Sequence, residues 1–240
     1  MPVTPGPTSR PTPEPDYESA VAWQTALAFF LAAALGAALA LWLLPHILPI
    51  FFSDIAAQKA YWHLARASGV IAYLLLWLSA ALGLLITNRM ARVWPGGPTA
   101  FDLHQFTSLL ALAFTGFHAL ILLGDDYISY SLAQILIPFT AAGYRPIATG
   151  LGQVAFYLAI MVTFSFYVKK RIGRRAWRII HYASFLLFIL IILHGLTAGT
   201  DASSLRPLYL VSFGSILFLT LYRILITHAT KTTPPERRVS

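Results

Sequence analysis

Six apolar stretches, each long enough to cross a bilayer, limit the possible folds of this chain more than any other feature. They cover residues 21–44, 69–87, 101–123, 149–167, 176–196 and 208–226. A helix of about 20 apolar residues spans the hydrocarbon core of a membrane. Hydrophobic residues make up 58% of the 240-residue chain, more than a soluble domain of this length can bury. The sequence therefore predicts an all-α polytopic membrane protein with six transmembrane helices.

The positions of lysine and arginine predict how these spans are oriented. Thirteen of the 17 basic residues fall at or beyond span ends that would share one side of the membrane. They are Arg10, Arg89, Arg92, Lys169, Lys170, Arg171, Arg174, Arg175, Arg178, Arg223, Lys231, Arg237 and Arg238. Because cytoplasmic loops carry an excess of lysine and arginine, both termini are predicted to be cytoplasmic, in a plasma (inner) membrane. The net charge of +8 then reflects topology, and no nucleic-acid partner is predicted.

The residues outside the spans predict no second folded domain. The first 17 residues contain six prolines, so residues 1–20 are predicted to be a disordered cytoplasmic tail. Residues 21–227 form the predicted membrane domain, and residues 228–240 form a short cytoplasmic tail. The chain contains no cysteine, which excludes disulfides, thiolate-bound zinc and cysteine-ligated iron–sulfur clusters.

Two spans carry a histidine near each end of an otherwise apolar stretch. The third span contains HQFTSLLALAFTGFH, from His104 to His118, and the fifth contains HYASFLLFILIILH, from His181 to His194. At about 1.5 Å rise per residue, these spacings correspond to roughly 21 Å and 19.5 Å. Because the two spans run in the same direction, His104 should lie level with His181, and His118 level with His194. Two facing pairs at two depths are what two stacked b-type haems require, each iron taking one imidazole from each helix.

Spacing alone leaves two alternative roles open for these histidines, packing and proton transfer. Thirteen residues stop about 140° short of four helical turns, so His181 and His194 cannot point the same way from a straight ideal helix. A single membrane histidine is commonly a hydrogen-bonded packing residue. A proton relay would normally also use buried acids, and the interiors of the third and fifth spans contain none.

Several motifs resemble the ferric reductase-like transmembrane domain. This domain is the six-helix, haem-binding module of NADPH oxidases, of ferric reductases and of the haem subunit of a bacterial methionine sulfoxide reductase system. The motifs are the two histidine pairs, their 14-then-13 spacing, the glycine directly after His194 and the run LARA at residues 64–67. The resemblance covers about residues 62–226.

The resemblance implies two haem b cofactors and a set of residues that hold them. His104 and His181 would ligate the iron of an inner haem, and His118 and His194 the iron of an outer one. Arg66 would lie near the outer haem, where a guanidinium neutralises a propionate. The alternative for Arg66 is an interfacial arginine whose charged end reaches toward water.

Four further residues are candidate contacts of the haems. Arg178 lies three residues before His181 and would serve an inner propionate, or act only as a topology determinant. Gly116 and Gly195 would let a porphyrin edge approach the backbone, or serve ordinary helix packing. Phe188 would lie between the two haems, or pack in the core.

The resemblance implies an oxidoreductase subunit that carries electrons across the bilayer. Large members of the family continue into a flavin and nicotinamide domain, and no glycine-rich phosphate loop after a strand is recognisable in this sequence. The donor is therefore expected to be a separate cytoplasmic or membrane partner, namely a flavoprotein, a ferredoxin or a quinol, with an acceptor on the outer side. Two alternatives stay open, a quinone-linked cytochrome b subunit of a larger redox complex and a haem-free membrane scaffold or transporter subunit.

Overall fold

The secondary structure is α-helical, with short turns and no strand, throughout the part of the chain that a computed structural model describes. This part comprises residues 21–52, 54–93, 95–141 and 143–232. Its helices are α1 (Trp23–Phe51), α2 (Asp54–Thr87), α3 (Gly97–Ile121), α4 (Leu132–Leu136), α5 (Pro146–Ser165), α6 (Lys169–Ala198) and α7 (Ala202–Thr232). Six of them, all except α4, are long and apolar enough to cross a membrane. The prediction of an all-α protein with six spans is confirmed, and the chain is a multi-pass membrane protein.

The predicted tails are largely outside the described residues. Residues 1–20 and 233–240 are not described, so the predicted disorder of the N-terminal tail stays a prediction. At the other end, α7 continues to Thr232, so the chain is still helical where the sequence predicted the start of the C-terminal tail.

Four spans, namely α1, α2, α6 and α7, are longer than hydropathy indicates, and the local causes are clear for α1 and α6. Helix α1 continues through Pro45 and Pro49 to Phe51, because membrane helices tolerate proline better than soluble ones. Helix α6 begins at Lys169, so the basic run predicted to lie between two spans forms its first turns. Lysine and arginine favour helix, and Gly173, with φ of 82°, interrupts the helix near its start in a conformation that suits glycine.

Small residues line the contacts between spans. Ala65 and Ala72 of α2, Ala111 of α3, and Ala155 and Ala159 of α5 are all buried. In a membrane, where lipid is as apolar as leucine, helices associate through close packing, and small residues let their backbones approach. Helix α2 packs extensively on α3, and α5 on α6, whereas α3 and α6 are not extensively packed on each other. Contacts between α3 and α6 therefore depend on their side chains.

Polar groups join α2 to α7 inside the bundle. The hydroxyl groups of Tyr73 and Ser212 form a hydrogen bond, and Trp77 Nε1–H donates to Ser215 Oγ at 2.8 Å. Interhelical hydrogen bonds in a membrane contribute on average about 0.6 kcal/mol each. Tyr73 also stacks on Phe188 of α6, with ring centroids 6.4 Å apart. These contacts hold α2 against α6 and α7.

Candidate functional site

The four histidines of the third and fifth spans form two pairs, each joining α3 to α6. The ring centroids of His104 and His181 lie 6.2 Å apart, with the ring planes at 72°. Those of His118 and His194 lie 6.3 Å apart, with the planes at 79°. We refer to these as the His104 pair and the His118 pair. The structure thus brings together the partners expected to lie at equal depths.

Both pairs form although His181 and His194 differ in azimuth on an ideal helix. The non-helical residue within α6, Gly173, precedes His181, so the helix between the two histidines is continuous. A break in the helix between the two histidines therefore does not account for the pairing. Because α3 and α6 are not extensively packed on each other, the imidazole rings reach across from one helix to the other.

Three of the four imidazoles donate a hydrogen bond to a backbone carbonyl of a neighbouring helix. The bonds run from His104 Nδ1–H to Ser79 O (2.8 Å), from His118 Nδ1–H to Ala65 O (2.6 Å) and from His194 Nδ1–H to Ala148 O (2.8 Å). Because a carbonyl oxygen only accepts, Nδ1 carries the proton in each ring. The lone pair on Nε2 is then free to bind a metal, and the hydrogen bond fixes the ring's orientation.

A glycine lies four residues after each accepting carbonyl. The three pairs are Ser79 with Gly83, Ala65 with Gly69, and Ala148 with Gly152. In an α-helix the carbonyl of one residue points toward the residue four positions on, so a missing side chain there opens the carbonyl to a neighbouring ring. We call this arrangement the carbonyl–glycine motif.

The available space shows how closely the rings fit against these glycines. A Cβ atom on Gly152 would lie 2.6 Å from His194 Nδ1, and one on Gly69 would lie 3.0 Å from His118 Nδ1. A Cβ atom on Gly83 would lie 3.2 Å from His104 Cε1. Any larger residue would therefore displace the imidazole or the helix that carries it.

The glycines singled out from the sequence lie elsewhere. A Cβ atom on Gly116 would lie 3.7 Å from Phe30, and Gly195 packs against Tyr209. These contacts favour the helix-packing alternative for both residues. The sequence does hold a signal for the three glycines that contact imidazoles, namely a small residue four positions before a glycine on the helices that flank α3 and α6.

His181 is held differently from the other three histidines. Within the described chain its ring makes no hydrogen bond, and it stacks on the indole of Trp177, with centroids 5.2 Å apart and planes at 28°. The indole in turn packs edge-on against Phe166. An aromatic contact thus replaces the carbonyl contact at this ring.

The separation of the paired rings fits a metal ion bound between two imidazoles. With metal–nitrogen bonds of about 2.1 Å and about 1.1 Å from nitrogen to ring centre, opposed rings have centroids about 6.4 Å apart. The observed separations are 6.2 and 6.3 Å. Among the described residues no group of three or more His, Cys, Asp or Glu side chains is placed to hold a metal ion. A metal at either pair would need its other ligands from a group such as a porphyrin, and two imidazoles from different helices at this centroid separation fit that group.

Arg66 lies beside the His118 pair, because it directly follows Ala65, whose carbonyl accepts from His118. Its guanidinium forms an ion pair with Asp201, and Nη1–H donates to Thr200 Oγ1 at 2.7 Å. The sequence did not predict this carboxylate partner within the protein. A role toward a propionate stays a prediction.

The remaining candidates occupy different surroundings. Arg178 is exposed on α6, a position that also suits a topology determinant, and its role at a propionate stays a prediction.

Phe188 is 5% exposed and stacks on Tyr73, so it belongs to the packed interior of the bundle. Its position between the two pairs along α6 leaves a role between two cofactors as a prediction.

Comparison of the chain with protein-family models, with curated proteins and with solved structures found no match. The resemblance to ferric reductase-like domains therefore stays a prediction from the sequence. The geometry of the two histidine pairs is what supports a functional proposal.

Proposed function

We propose that this protein is a membrane b-type cytochrome with two haems that carries electrons across the bilayer between a separate donor and a separate acceptor. One observation supports this function above all. Two imidazole pairs join the same two helices, each with the centroid separation expected of two imidazoles that bind one metal ion. A hydrogen-bonded packing role would not require imidazoles to face each other twice at that separation.

The protein's own groups would hold the cofactors in fixed positions. His104 and His181 would bind the iron of one haem b, and His118 and His194 the iron of the other. When bound, haem iron supplies reversible one-electron redox chemistry. The carbonyl–glycine motifs place the proton on Nδ1 of three imidazoles and leave Nε2 as the atom that would bind the metal, which would raise the strength of those ligands.

The orientation predicted from the lysine and arginine distribution would assign the two pairs to the two sides of the membrane. With the basic start of α6 on the cytoplasmic side, the His104 pair is the inner site and the His118 pair the outer site. The donor would then be a cytoplasmic or membrane flavoprotein, ferredoxin or quinol, and the acceptor would lie on the outer side of the plasma (inner) membrane.

An absorption spectrum of the purified protein tests this function directly. Protein from haem-replete cells is expected to show a reduced b-type spectrum and to contain two haems per chain by pyridine haemochrome assay. A colourless preparation from such cells would exclude the function and favour a haem-free scaffold or transporter subunit. A value of one haem per chain would contradict the two-site assignment.

Separate replacement of Arg66 and Asp201 is expected to distinguish the two possible roles of Arg66. The side chains are 28% and 32% exposed, and ion pairs of this kind contribute about 0–1 kcal/mol, so neither change should much affect thermal stability. If the guanidinium also faces a propionate, Arg66→Gln removes a cation from beside the oxidised iron and lowers the midpoint potential of the His118-pair haem. Asp201→Asn removes an anion and should raise that potential.

Redox titration followed by absorbance measures both shifts, with the His104-pair haem as an internal reference. An unchanged potential in Arg66→Gln would leave Arg66 with only its structural contacts within the protein, and would contradict the propionate role.

A further inference from the structure

The two histidine pairs differ in the contacts that hold their imidazoles. In the His118 pair, both rings donate Nδ1–H to a backbone carbonyl. In the His104 pair, only His104 does so, and its Nδ1 also lies 3.1 Å from Ser79 Oγ. His181 has the stacked indole of Trp177 in place of a carbonyl.

The surroundings of Trp177 show why the indole is able to orient a neighbouring ring. Trp177 lies one helical turn before His181 on the same face of α6. Its ring packs against Phe166, and the ammonium of Lys169 lies 5.1 Å from its centroid. The indole nitrogen is buried and has no hydrogen-bond partner in the described part of the chain, so stacking and packing, not a polar contact, fix the side chain.

We propose that Trp177 is the positioning residue of His181 and that the two haem sites are consequently unequal, with the lower reduction potential at the His118 pair. This inference rests on the proposed function. Residues of this chain cause the difference between the two pairs, so it does not depend on the identity of the donor or the acceptor.

The direction of the inequality follows from the hydrogen bonds. A carbonyl that accepts from Nδ1–H increases the electron density and basicity of the imidazole, and a more basic ligand stabilises the more highly charged, oxidised metal. The His118 pair has two such ligands and the His104 pair has one. The iron at the His118 pair is therefore the harder one to reduce.

Redox titration of the intact protein and of single-pair variants tests the inequality. His194→Ala leaves the His104 pair, and His181→Ala leaves the His118 pair. The haem that remains in His194→Ala is expected to have the higher midpoint potential, matching the upper of two components in the unmodified protein. Equal potentials, or the reverse order, would overturn the inequality.

Carbon monoxide binding by Trp177 variants tests the positioning role, because a change in overall stability does not by itself alter this readout. Haem with two firmly held imidazoles does not bind carbon monoxide, whereas a loosened ligand opens one position. Trp177→Leu removes the stacked ring, and up to half of the reduced haem is expected to bind carbon monoxide. Trp177→Phe retains a stacking ring and loses no hydrogen bond, so it should bind none.

Tyr182→Leu serves as the matched control, because Tyr182 adjoins His181 on α6 but is 61% exposed. It should behave like the unmodified protein. Carbon monoxide binding in neither Trp177 variant, or equally in both, would overturn the positioning role. Absence of haem from the unmodified protein would instead defeat the proposed function, so the two failures are distinguishable.

Discussion

On the proposed function, the His118→Ala variant is expected to lose one haem and to retain the other. Removal of the His118 imidazole would leave His194 as the only imidazole of that pair, whereas the His104 pair is untouched. The reduced b-type absorbance per protein should therefore fall by about half. Because structural metal ligands contribute strongly to binding, the affected site should remain empty after purification. Absorbance and pyridine haemochrome assay on the purified variant measure the loss.

The complete set of four single replacements tests the pairing between helices. His194→Ala should give the same retained haem, with the same midpoint potential, as His118→Ala. His104→Ala and His181→Ala should match each other and retain the opposite haem. A result in which His104→Ala and His118→Ala matched would mean that histidines of one helix share a site, which contradicts the cross-helix contacts.

Gly152→Ala is expected to empty the His118-pair site without removing any ligand. The added Cβ atom would lie 2.6 Å from His194 Nδ1 and 2.7 Å from Cε1, so the ring must leave its place beside the Ala148 carbonyl. Loss of a partner that orients a metal ligand typically lowers affinity about 10–100-fold. Because the added Cβ atom also displaces the ring directly, the loss of haem affinity in this variant should reach or exceed the upper end of that range. Haem retention during detergent washing measures the effect.

Two other glycines provide matched controls in the same bundle. Gly36 of α1 and Gly214 of α7 have nothing within 4 Å of a Cβ position, so alanine should be tolerated there. Because alanine has a higher helix propensity than glycine, this change should stabilise a helix interior by as much as about 1 kcal/mol. Gly69→Ala and Gly83→Ala, with Cβ distances of 3.0 and 3.2 Å to their imidazoles, should show graded and weaker losses. Full haem retention in Gly152→Ala would contradict the carbonyl–glycine motif as a requirement of the site.

The spans and the depth of the histidines could be predicted because both depend on one-dimensional properties of the chain. Apolar length sets the number of crossings, and helical rise sets the level of each residue. Those two quantities were enough to expect His104 opposite His181 and His118 opposite His194. The ends of α1 and α6 were harder to predict from the sequence. A membrane helix continues through proline and through a basic segment once neighbouring helices support it.

The contacts that hold the imidazoles depend instead on azimuth and on which helices are neighbours. Gly152 and Gly69 matter only because α5 lies beside α6 and α2 beside α3. Hydropathy carries no such information. The stacking of Trp177 on His181 was open to prediction from the one-turn spacing, whereas the Arg66–Asp201 ion pair joins residues far apart in the chain.

The separation of the two pairs along α3 has an electrical consequence. Fourteen residues from His104 to His118 rise about 21 Å in a hydrocarbon slab of about 30 Å, so an electron passing between the levels crosses about two-thirds of the transmembrane voltage. A full crossing corresponds to about 2.3 kcal/mol per elementary charge at 100 mV. Outward transfer in a cell with a negative interior is driven by that voltage and discharges it, so the protein would act as an electrogenic shunt whose flux is limited by whatever recharges the membrane.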